Sequence, residues 1–178
     1  MIRNYLPTDE SALLALWNSA GVRCGYAPLS NEGLHRLLTG HPDFSPEYTF
    51  VLEDSGKFLG FVNGCTGDHI PYGDKRGYVS CLLLSEAADN EENTAALLAA
   101  LEDAFRKAGR THITVSFFNP IRLPWIIPGT VDHQHNNAPG VALDLPLHSR
   151  MVALGYREAA RECAMHLDLK DFEEQMNS

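Results

Sequence analysis

The sequence has no unbroken apolar segment approaching the roughly 20 residues that a membrane-spanning helix requires, so no membrane partner is expected. Its opening residues, MIRNYLPTDES, lack the apolar core and small-residue cleavage site of a secretory signal, which predicts a cytoplasmic protein. It also lacks a C-x-x-C pair, so cysteine spacing indicates neither a zinc site nor a redox dithiol. Buried free thiols are the interpretation favoured for Cys24, Cys65, Cys81 and Cys163.

Basic residues are few and scattered. The chain carries 14 Lys and Arg against 23 Asp and Glu, which gives a formal net charge of -9 at pH 7. Because binding to phosphate backbones depends on clustered basic side chains, nucleic acid is a poor candidate partner. Repeats and Gly/Ser linkers are also absent, so 178 residues with 44% apolar content predict one domain over residues 1–170, followed by a frayed tail at 171–178.

The first half of the chain predicts a short strand, two helices and a hairpin. The strand covers Ile2–Tyr5, and a helix then opens at Pro7 with an apolar face and a stop at Gly21. Ser30 is expected to cap a second helix that ends at Gly40. Two β-forming runs, 48–53 and 57–65, flank a turn and predict an antiparallel hairpin.

The second half predicts a β-α-β crossover. Arg76–Leu84 is almost continuously apolar, as in a central strand buried on both faces. A helix over Ala95–Ala108 and a strand over His112–Phe118 follow, so the two strands should be parallel neighbours that diverge at their C-terminal ends. A short helix at 147–154 and a strand at 163–169 complete the pattern.

Between these elements lies a long loop, residues 120–146, with five prolines and little periodicity. Its apolar tripeptide at 125–127 could cover a cleft or anchor the loop to the core, and anchoring is the favoured interpretation. The loop also carries the H-x-H pair His133 and His135 beside Asp132, which could offer metal ligands. A third ligand at sensible spacing is not evident, so a polar loop is favoured and no metal is expected.

Several segments together resemble one protein family. They are the opening MIRNYLPTDESALLALWNSA, the hairpin YTFVLEDSGKFLGFVNG, the crossover and the ending LGYREAARECAMHLDL, and they span nearly the whole chain. In this order they resemble the GCN5-related N-acetyltransferase (GNAT) family. The resemblance implies an α/β (α+β) fold with a central, mixed, twisted sheet of about six to seven strands flanked by about four helices. It also implies acetyl transfer from acetyl-CoA to an amine of a small molecule or peptide.

The resemblance further implies where the cofactor binds. The central strand and its parallel neighbour splay apart in this family, so the exposed backbone of Leu82 and Leu84 would pair with the pantetheine amides. The pyrophosphate would lie at the N-terminus of the crossover helix, where free N–H groups attract anions. The residues that this placement assigns to the cofactor there are Asn93, Thr94 and Ala95.

The expected phosphate loop departs from the family pattern R/Q-x-x-G-x-G/A. Counted back from the pair Leu97 and Leu98, the basic position falls on Asp89 and the glycine positions fall on Glu92 and Thr94. Asp89 and Glu92 are also spaced as a capping box, which would satisfy the helix N-terminus without phosphate. The opposed charges predict weak acetyl-CoA binding, in the high micromolar range or poorer.

No catalytic residue is assigned from the sequence. The tyrosine that serves as the family's general acid is replaced by Met151 in M-V-A-L-G-Y, and methionine has no proton to donate, while Tyr156 keeps the terminal aromatic. Glu86 could deprotonate an amine, but an acid is equally natural at a helix entry. Asn119 matches an asparagine common at the family's cofactor edge, although Asn also ends strands.

Two alternatives to an active acetyltransferase stay open. One is a catalytically degenerate, GNAT-like binding domain that uses the cleft for another ligand. The other is a regulatory half of a tandem pair, in which a homodimer could restore the missing partner. In each case the variable loops at 22–29 and 120–146 are expected to carry the groups that select the acceptor.

Overall fold

The computed structural model describes residues 1–116, 119–127, 129–130, 134–135 and 140–163, with the backbone alone at 134–135. No helix in these ranges is long and apolar enough to span a bilayer. The strands are β1 (Ile2–Asn4), β2 (Thr49–Asp54), β3 (Lys57–Cys65), β4 (Arg76–Leu84), β5 (His112–Thr114), β6 (Trp125–Ile126) and β7 (Gln134–His135). The α-helices are α1 (Glu10–Leu16), α2 (Asn31–Leu34), α3 (Glu91–Lys107) and α4 (Pro146–Ala153).

The main sheet has five strands in the order β1-β2-β3-β4-β5, and β6 pairs with β7 in a separate two-stranded sheet. The first four strands run antiparallel, whereas β4 and β5 run parallel. The predicted fold class is therefore confirmed, with four α-helices among the described residues, although the main sheet there has five strands rather than the expected six to seven. The expected last strand at 163–169 lies outside them beyond Cys163.

The sheet separates two apolar clusters. On one face, α2 and the helical segment made of α1 and the turn after it bury side chains such as Leu34 and Trp17 against Phe61 and Leu83. On the other face, α3 packs its leucines against neighbouring strand residues such as Leu82. Because successive residues of a strand point to opposite faces, the apolar run of β4 supplies both clusters, as its continuous hydrophobicity predicts.

The first helix ends later than expected. A π-turn over Trp17–Gly21 extends α1, and helical backbone continues through Arg23. Gly21 is buried in this helix, whereas Gly25 has a φ of +91° and its N–H donates to Val22 O at 3.0 Å. The predicted stop at Gly21 was therefore wrong, because the left-handed residue that ends the helix is Gly25.

Two other expectations hold. Ser30 caps the second helix, with its Oγ accepting from Gly33 N at 3.1 Å, and a π-turn over His35–Thr39 carries this helix to Gly40. The tripeptide at 125–127 anchors the long loop, since Trp125 and Ile127 are each 9% exposed. The predicted anchoring role of the tripeptide is confirmed.

Candidate functional site

The two parallel strands separate soon after they meet. Pairing between β4 and β5 covers Arg76 with His112, Gly77 with Ile113 and Tyr78 with Thr114. Beyond Tyr78, the described residues supply no strand partner for this edge of β4. The predicted parallel pairing is confirmed, and none of the described strands pairs with residues 79–84 on the side of β5, which we call the open edge of β4.

A register shift between β3 and β4 decides which residues of β4 direct their backbone N–H and C=O groups toward the open edge. Asn63 pairs with Cys81 and Gly64 pairs with Val79, so the register skips Ser80. Val79 O accepts from Asn119 Nδ2 at 2.8 Å, and Leu84 O accepts from Arg23 Nη2 at 3.4 Å. Because N–H and C=O groups alternate along a strand, Leu82 points its backbone to the same open edge as Leu84.

A cleft of about 180 Å³ lies against the end of this edge. Leu82 and Leu84 form its apolar floor, and the segment after α1 contributes Arg23 and Cys24. The opposite wall consists of residues from the start of α3 and from α4 with its preceding turn: Asp89, Thr94, Leu145, Pro146, Leu147 and Arg150. The cleft is thus assembled from four separate parts of the chain.

The N-cap of α3 is Asn90. Asn90 has extended backbone, with φ -143° and ψ 172°, and its side chain accepts from Asn93 N at 2.9 Å. The expected capping box of Asp89 and Glu92 was therefore wrong. Asp89 stands one residue too early to cap the helix, and its carboxylate faces a cation from another helix.

That cation is Arg150 of α4. Its guanidinium forms an ion pair with the Asp89 carboxylate, and it also donates to Asp89 O at 3.2 Å and approaches Thr94 Oγ1 at 3.5 Å. The Arg150 side chain is only 14% exposed. A largely buried guanidinium therefore lies beside the N-terminus of α3, where the family pattern had placed Asp89, Glu92 and Thr94.

The cofactor residues expected from the sequence divide between the cleft and its surroundings. Leu82, Leu84 and Thr94 line the cleft. Thr94 is fully buried, and its Oγ1 donates to Asn90 O at 2.8 Å. Asn93 and Ala95 lie in the first turns of α3 outside the lining, and the Asn93 side chain donates to Ala88 O at 2.9 Å.

Asn119 lies apart from the cleft lining. It is 6% exposed, its Nδ2 donates to Val79 O, and its Oδ1 accepts from Ile121 N at 3.1 Å. Both ends of its amide are therefore used within the protein, where they fix the start of the long loop to β4. This geometry favours a structural role at the position where the family resemblance implied cofactor contact.

The cleft carries a thiol that the sequence did not single out. Cys24 is half-buried, and burial, followed by the nearby Asp89 carboxylate, raises the pKa of its thiol. The prediction of buried free thiols holds for Cys65 and Cys81, while Cys163 is exposed. Arg23 and Cys24 lie in the 22–29 segment that was expected to select the acceptor. Nothing in the sequence placed them in one cleft with Arg150, because no spacing rule connects the end of one helix with the middle of another.

The position of the family's general acid is part of the core. Met151 is 6% exposed and packs in the cluster between the sheet and α3. Tyr156 donates its hydroxyl to Glu102 Oε1 at 2.7 Å, and burial together with this carboxylate raises the pKa of its phenol. Glu86 is exposed. The side chains of His133 and His135 lie outside the described residues.

No protein-family model matches the sequence, and no curated protein matches it significantly. Solved structures match its fold. A transcriptional regulator from Bacillus halodurans C-125 superposes with a TM-score of 0.60 at 14% identity, covering 94% of this chain and 99% of that chain. The aminoglycoside N-acetyltransferase AAC(6')-Iy, in complex with CoA, gives a TM-score of 0.56 at 12% identity, with 94% and 99% covered.

A third solved structure matches a smaller part of the chain. N-acetylglutamate synthase from Neisseria gonorrhoeae, complexed with coenzyme A and N-acetyl-glutamate, gives a TM-score of 0.50 at 21% identity. It covers 64% of this chain and 24% of that chain. At such identities the likeness concerns the fold, and the chain has the GNAT-like fold that its sequence segments implied.

Proposed function

We propose that this protein binds acetyl-CoA in the cleft beside β4 and transfers the acetyl group to an amine of a small molecule or peptide. The observation that carries the proposal is the open edge of β4, which leads into a cleft bounded by Arg150 and the N-terminus of α3. A GNAT-like fold in which two of the neighbours are bound to CoA supports the same reading.

The floor of the cleft suits the pantetheine arm. Leu82 directs its N–H and C=O to the open edge, where the amides of an extended ligand can pair with them as an added strand would. The side chains of Leu82, Leu84 and Leu147 offer apolar surface to the methylene groups. The amides of the pantetheine arm would therefore be held by backbone hydrogen bonds, and its methylene groups would be held by burial against apolar side chains.

The charged end of the cleft suits the diphosphate. Arg150 and Arg23 are both in its lining, although the chain as a whole carries a net charge of -9. The start of α3 adds N–H groups that helix geometry leaves without intrahelical partners, together with the positive end of the helix dipole. Arginine pairs with phosphate oxygens through two parallel bonds, so Arg150 replaces the missing glycine loop as the main anchor.

Asp89 opposes this anchor. Its carboxylate occupies Arg150 in the unliganded protein, so the diphosphate must displace it or share the guanidinium. Binding is therefore expected to be weaker than a site without this carboxylate would give, as the acidic loop predicted from sequence.

The proposed acetyl transfer needs no oxidant or reductant. The amine nitrogen forms a bond to the acetyl carbon while the carbon–sulfur bond breaks, and the proton lost by nitrogen ends on the sulfur of CoA. Met151 cannot supply that proton. The Cys24 thiol, which burial keeps protonated at neutral pH, is the cleft group available to exchange one.

Titration calorimetry with acetyl-CoA tests the binding, and CoA release in the presence of a panel of primary amines tests the transfer. Arg150→Met should weaken binding about tenfold or more, since a charge-assisted hydrogen bond is lost. Arg106→Met, which removes an exposed arginine of α3, serves as the matched control. Absence of binding at millimolar acetyl-CoA would overturn the proposal, and binding without transfer to any amine would favour the non-catalytic binding domain.

A further inference from the structure

Three acidic side chains lie at the end of the cleft where a phosphate would bind. Asp89 and Thr94 both line the cleft at the start of α3. Glu91 and Glu92 lie between them in sequence and are exposed in the first turn of the helix. Acids in a first turn offset the positive end of the helix dipole. The start of α3 therefore attracts an anion less strongly than a helix without these acids would.

Arg150 supplies positive charge for one phosphate at this end. Arg23, the other cation of the lining, is exposed and directs its Nη2 to Leu84 O at 3.4 Å. The Arg150 guanidinium binds Asp89 through the carboxylate and through the carbonyl oxygen at 3.2 Å, and it approaches Thr94 Oγ1 at 3.5 Å. Within the described part of the chain, these contacts use three of the five N–H donors of a guanidinium. The two remaining donors match two oxygens of a single phosphate group.

The cleft is also too small for a whole CoA molecule. Its volume of about 180 Å³ is below the roughly 300–1,000 Å³ that pockets for drug-sized ligands have. A pantetheine arm along the open edge of β4 fills the cleft as far as Arg150. Everything that follows the first phosphate then leaves the cleft past the first turn of α3, where Glu91 and Glu92 are exposed.

The phosphate of 4'-phosphopantetheine suits this arrangement better than the nucleotide half of CoA does. As a terminal group it is a monoester with a charge of about -1.5 to -2. In CoA the same phosphate carries about one charge within the diphosphate, and the nucleotide adds a second phosphate and a 3'-phosphate monoester. The added charges face carboxylates, so the nucleotide brings repulsion rather than attraction.

We infer that the cleft recognises the phosphopantetheine half of its donor and gains no affinity from the nucleotide. Its substrate class is therefore the acyl thioester of 4'-phosphopantetheine, of which acetyl-CoA is one form. The inference rests on the proposed function and names the part of the donor that the site selects. Arg150 holds the phosphate, the backbone of Leu82 holds the amides, and the acids of α3 oppose the groups beyond them.

Calorimetry with three thioesters tests the inference: acetyl-CoA, acetyl-4'-phosphopantetheine and acetylpantetheine, which differ only in the nucleotide and the phosphate. Wild type should bind acetyl-4'-phosphopantetheine at least as tightly as acetyl-CoA. Acetylpantetheine should bind about tenfold more weakly than its phosphorylated form, since a charge-assisted hydrogen bond is lost. Arg150→Met should remove this tenfold difference, whereas Arg106→Met, which removes an exposed arginine from the last turn of α3, should keep it.

Removing the acids of the first turn gives a second readout. The double variant Glu91→Gln, Glu92→Gln should shift the ratio of the two phosphorylated ligands' dissociation constants about threefold in favour of acetyl-CoA, because the nucleotide then meets fewer like charges. Asp103→Asn is the control and should leave the ratio unchanged. It lies about 16 Å farther along α3, beyond the Debye length of about 8 Å at physiological salt. Circular dichroism checks that each variant is folded.

The outcomes separate the inference from the proposed function. Wild type that binds acetyl-CoA more tightly than acetyl-4'-phosphopantetheine overturns the inference, as does equal binding of acetyl-4'-phosphopantetheine and acetylpantetheine, while acetyl-CoA binding upholds the proposed function. A folded double variant with an unchanged ratio also overturns the inference. Binding of acetyl-4'-phosphopantetheine without binding of acetyl-CoA upholds the inference and replaces the donor in the proposed function. Wild type that binds none of the three at millimolar concentration overturns both.

Discussion

Arg150 of α4 holds the carboxylate of Asp89, which immediately precedes the N-cap of α3, and also donates to its carbonyl oxygen at 3.2 Å. The pair joins two helices at the mouth of the cleft. In the proposed function one partner would attract the diphosphate and the other would repel it, so we expect the balance between them to set the affinity for the ligand.

Asp89→Asn should strengthen acetyl-CoA binding about fivefold, because it removes an opposed charge and frees Arg150 for the ligand. Glu92→Gln removes an equal charge from an exposed position in the first turn of α3 and should give a smaller gain. Calorimetry on both variants measures the difference. Weaker binding by Asp89→Asn would mean that the carboxylate orients Arg150 rather than competing for it.

Asn119→Ala should lower the free energy of unfolding by about 2 kcal/mol, since it leaves a buried carbonyl at Val79 and a buried N–H at Ile121 without partners. Asn18→Ala is the matched control, because Asn18 makes the same two kinds of bond to Leu29 at an exposed site and should cost less. Denaturant unfolding measures both. A loss of acetyl-CoA affinity in folded Asn119→Ala would restore the cofactor role that the family resemblance implied.

Gly64→Ala should destabilise the protein by about 1–3 kcal/mol through overpacking. An added Cβ would lie 2.6 Å from the ring of Phe105 and 2.8 Å from the backbone oxygen of Tyr78, neither of which can move freely. Gly21→Ala is the control, because its Cβ would meet Trp17 and Leu83 at an ordinary 3.6 Å. In a helix this change should be neutral or stabilising. Equal stability of the two variants in urea would contradict the prediction.

Asp9→Asn should reduce stability by about 2 kcal/mol at pH 7, where the Asp9 carboxylate accepts two bonds from Arg3 and one from Leu6 N. Arg3 lowers the pKa of Asp9 in the folded protein, so this contribution is fully present above the unfolded pKa of about 3.9. It is lost as the pH falls through the folded value.

The stability difference between wild type and Asp9→Asn should therefore close on acidification below about pH 4, as unfolding at a series of pH values would show. Asp103→Asn provides the comparison, since its ion pair with Arg106 is exposed and should contribute little at any pH. A gap for Asp9→Asn that does not shrink at all as the pH falls below about 4 would show that the ion pair is not its source.

The regular elements were predictable because each depends on local pattern. The apolar run of β4, the hairpin of β2 and β3, and the leucine stripe of α3 all follow from the alternation or the helical spacing of their own residues. The crossover then fixes β4 and β5 as parallel. Core positions such as Leu97 and Leu101 are buried accordingly.

The details of the candidate site were not predictable, because at several positions two neighbouring residues fit the local pattern equally well. Asp89 and Asn90 are both good capping residues, and only the backbone conformation decides that Asn90 caps α3. Gly21 and Gly25 could both end the first helix, and the positive φ belongs to Gly25. The pairing of Arg150 with Asp89 joins residues 61 positions apart, so it follows from tertiary packing alone.

Two backbone hydrogen bonds join Gly25 and Ala27 to the long loop, and they determine how these two segments can separate. The amide protons of Ala27 and Ile126 are each held by an acceptor in the other segment. Neither can reach solvent unless the two segments part. Once each exchange rate is divided by the intrinsic rate of its own amide, the two amides should therefore give the same opening free energy, as one cooperative unit assembled from distant parts of the chain.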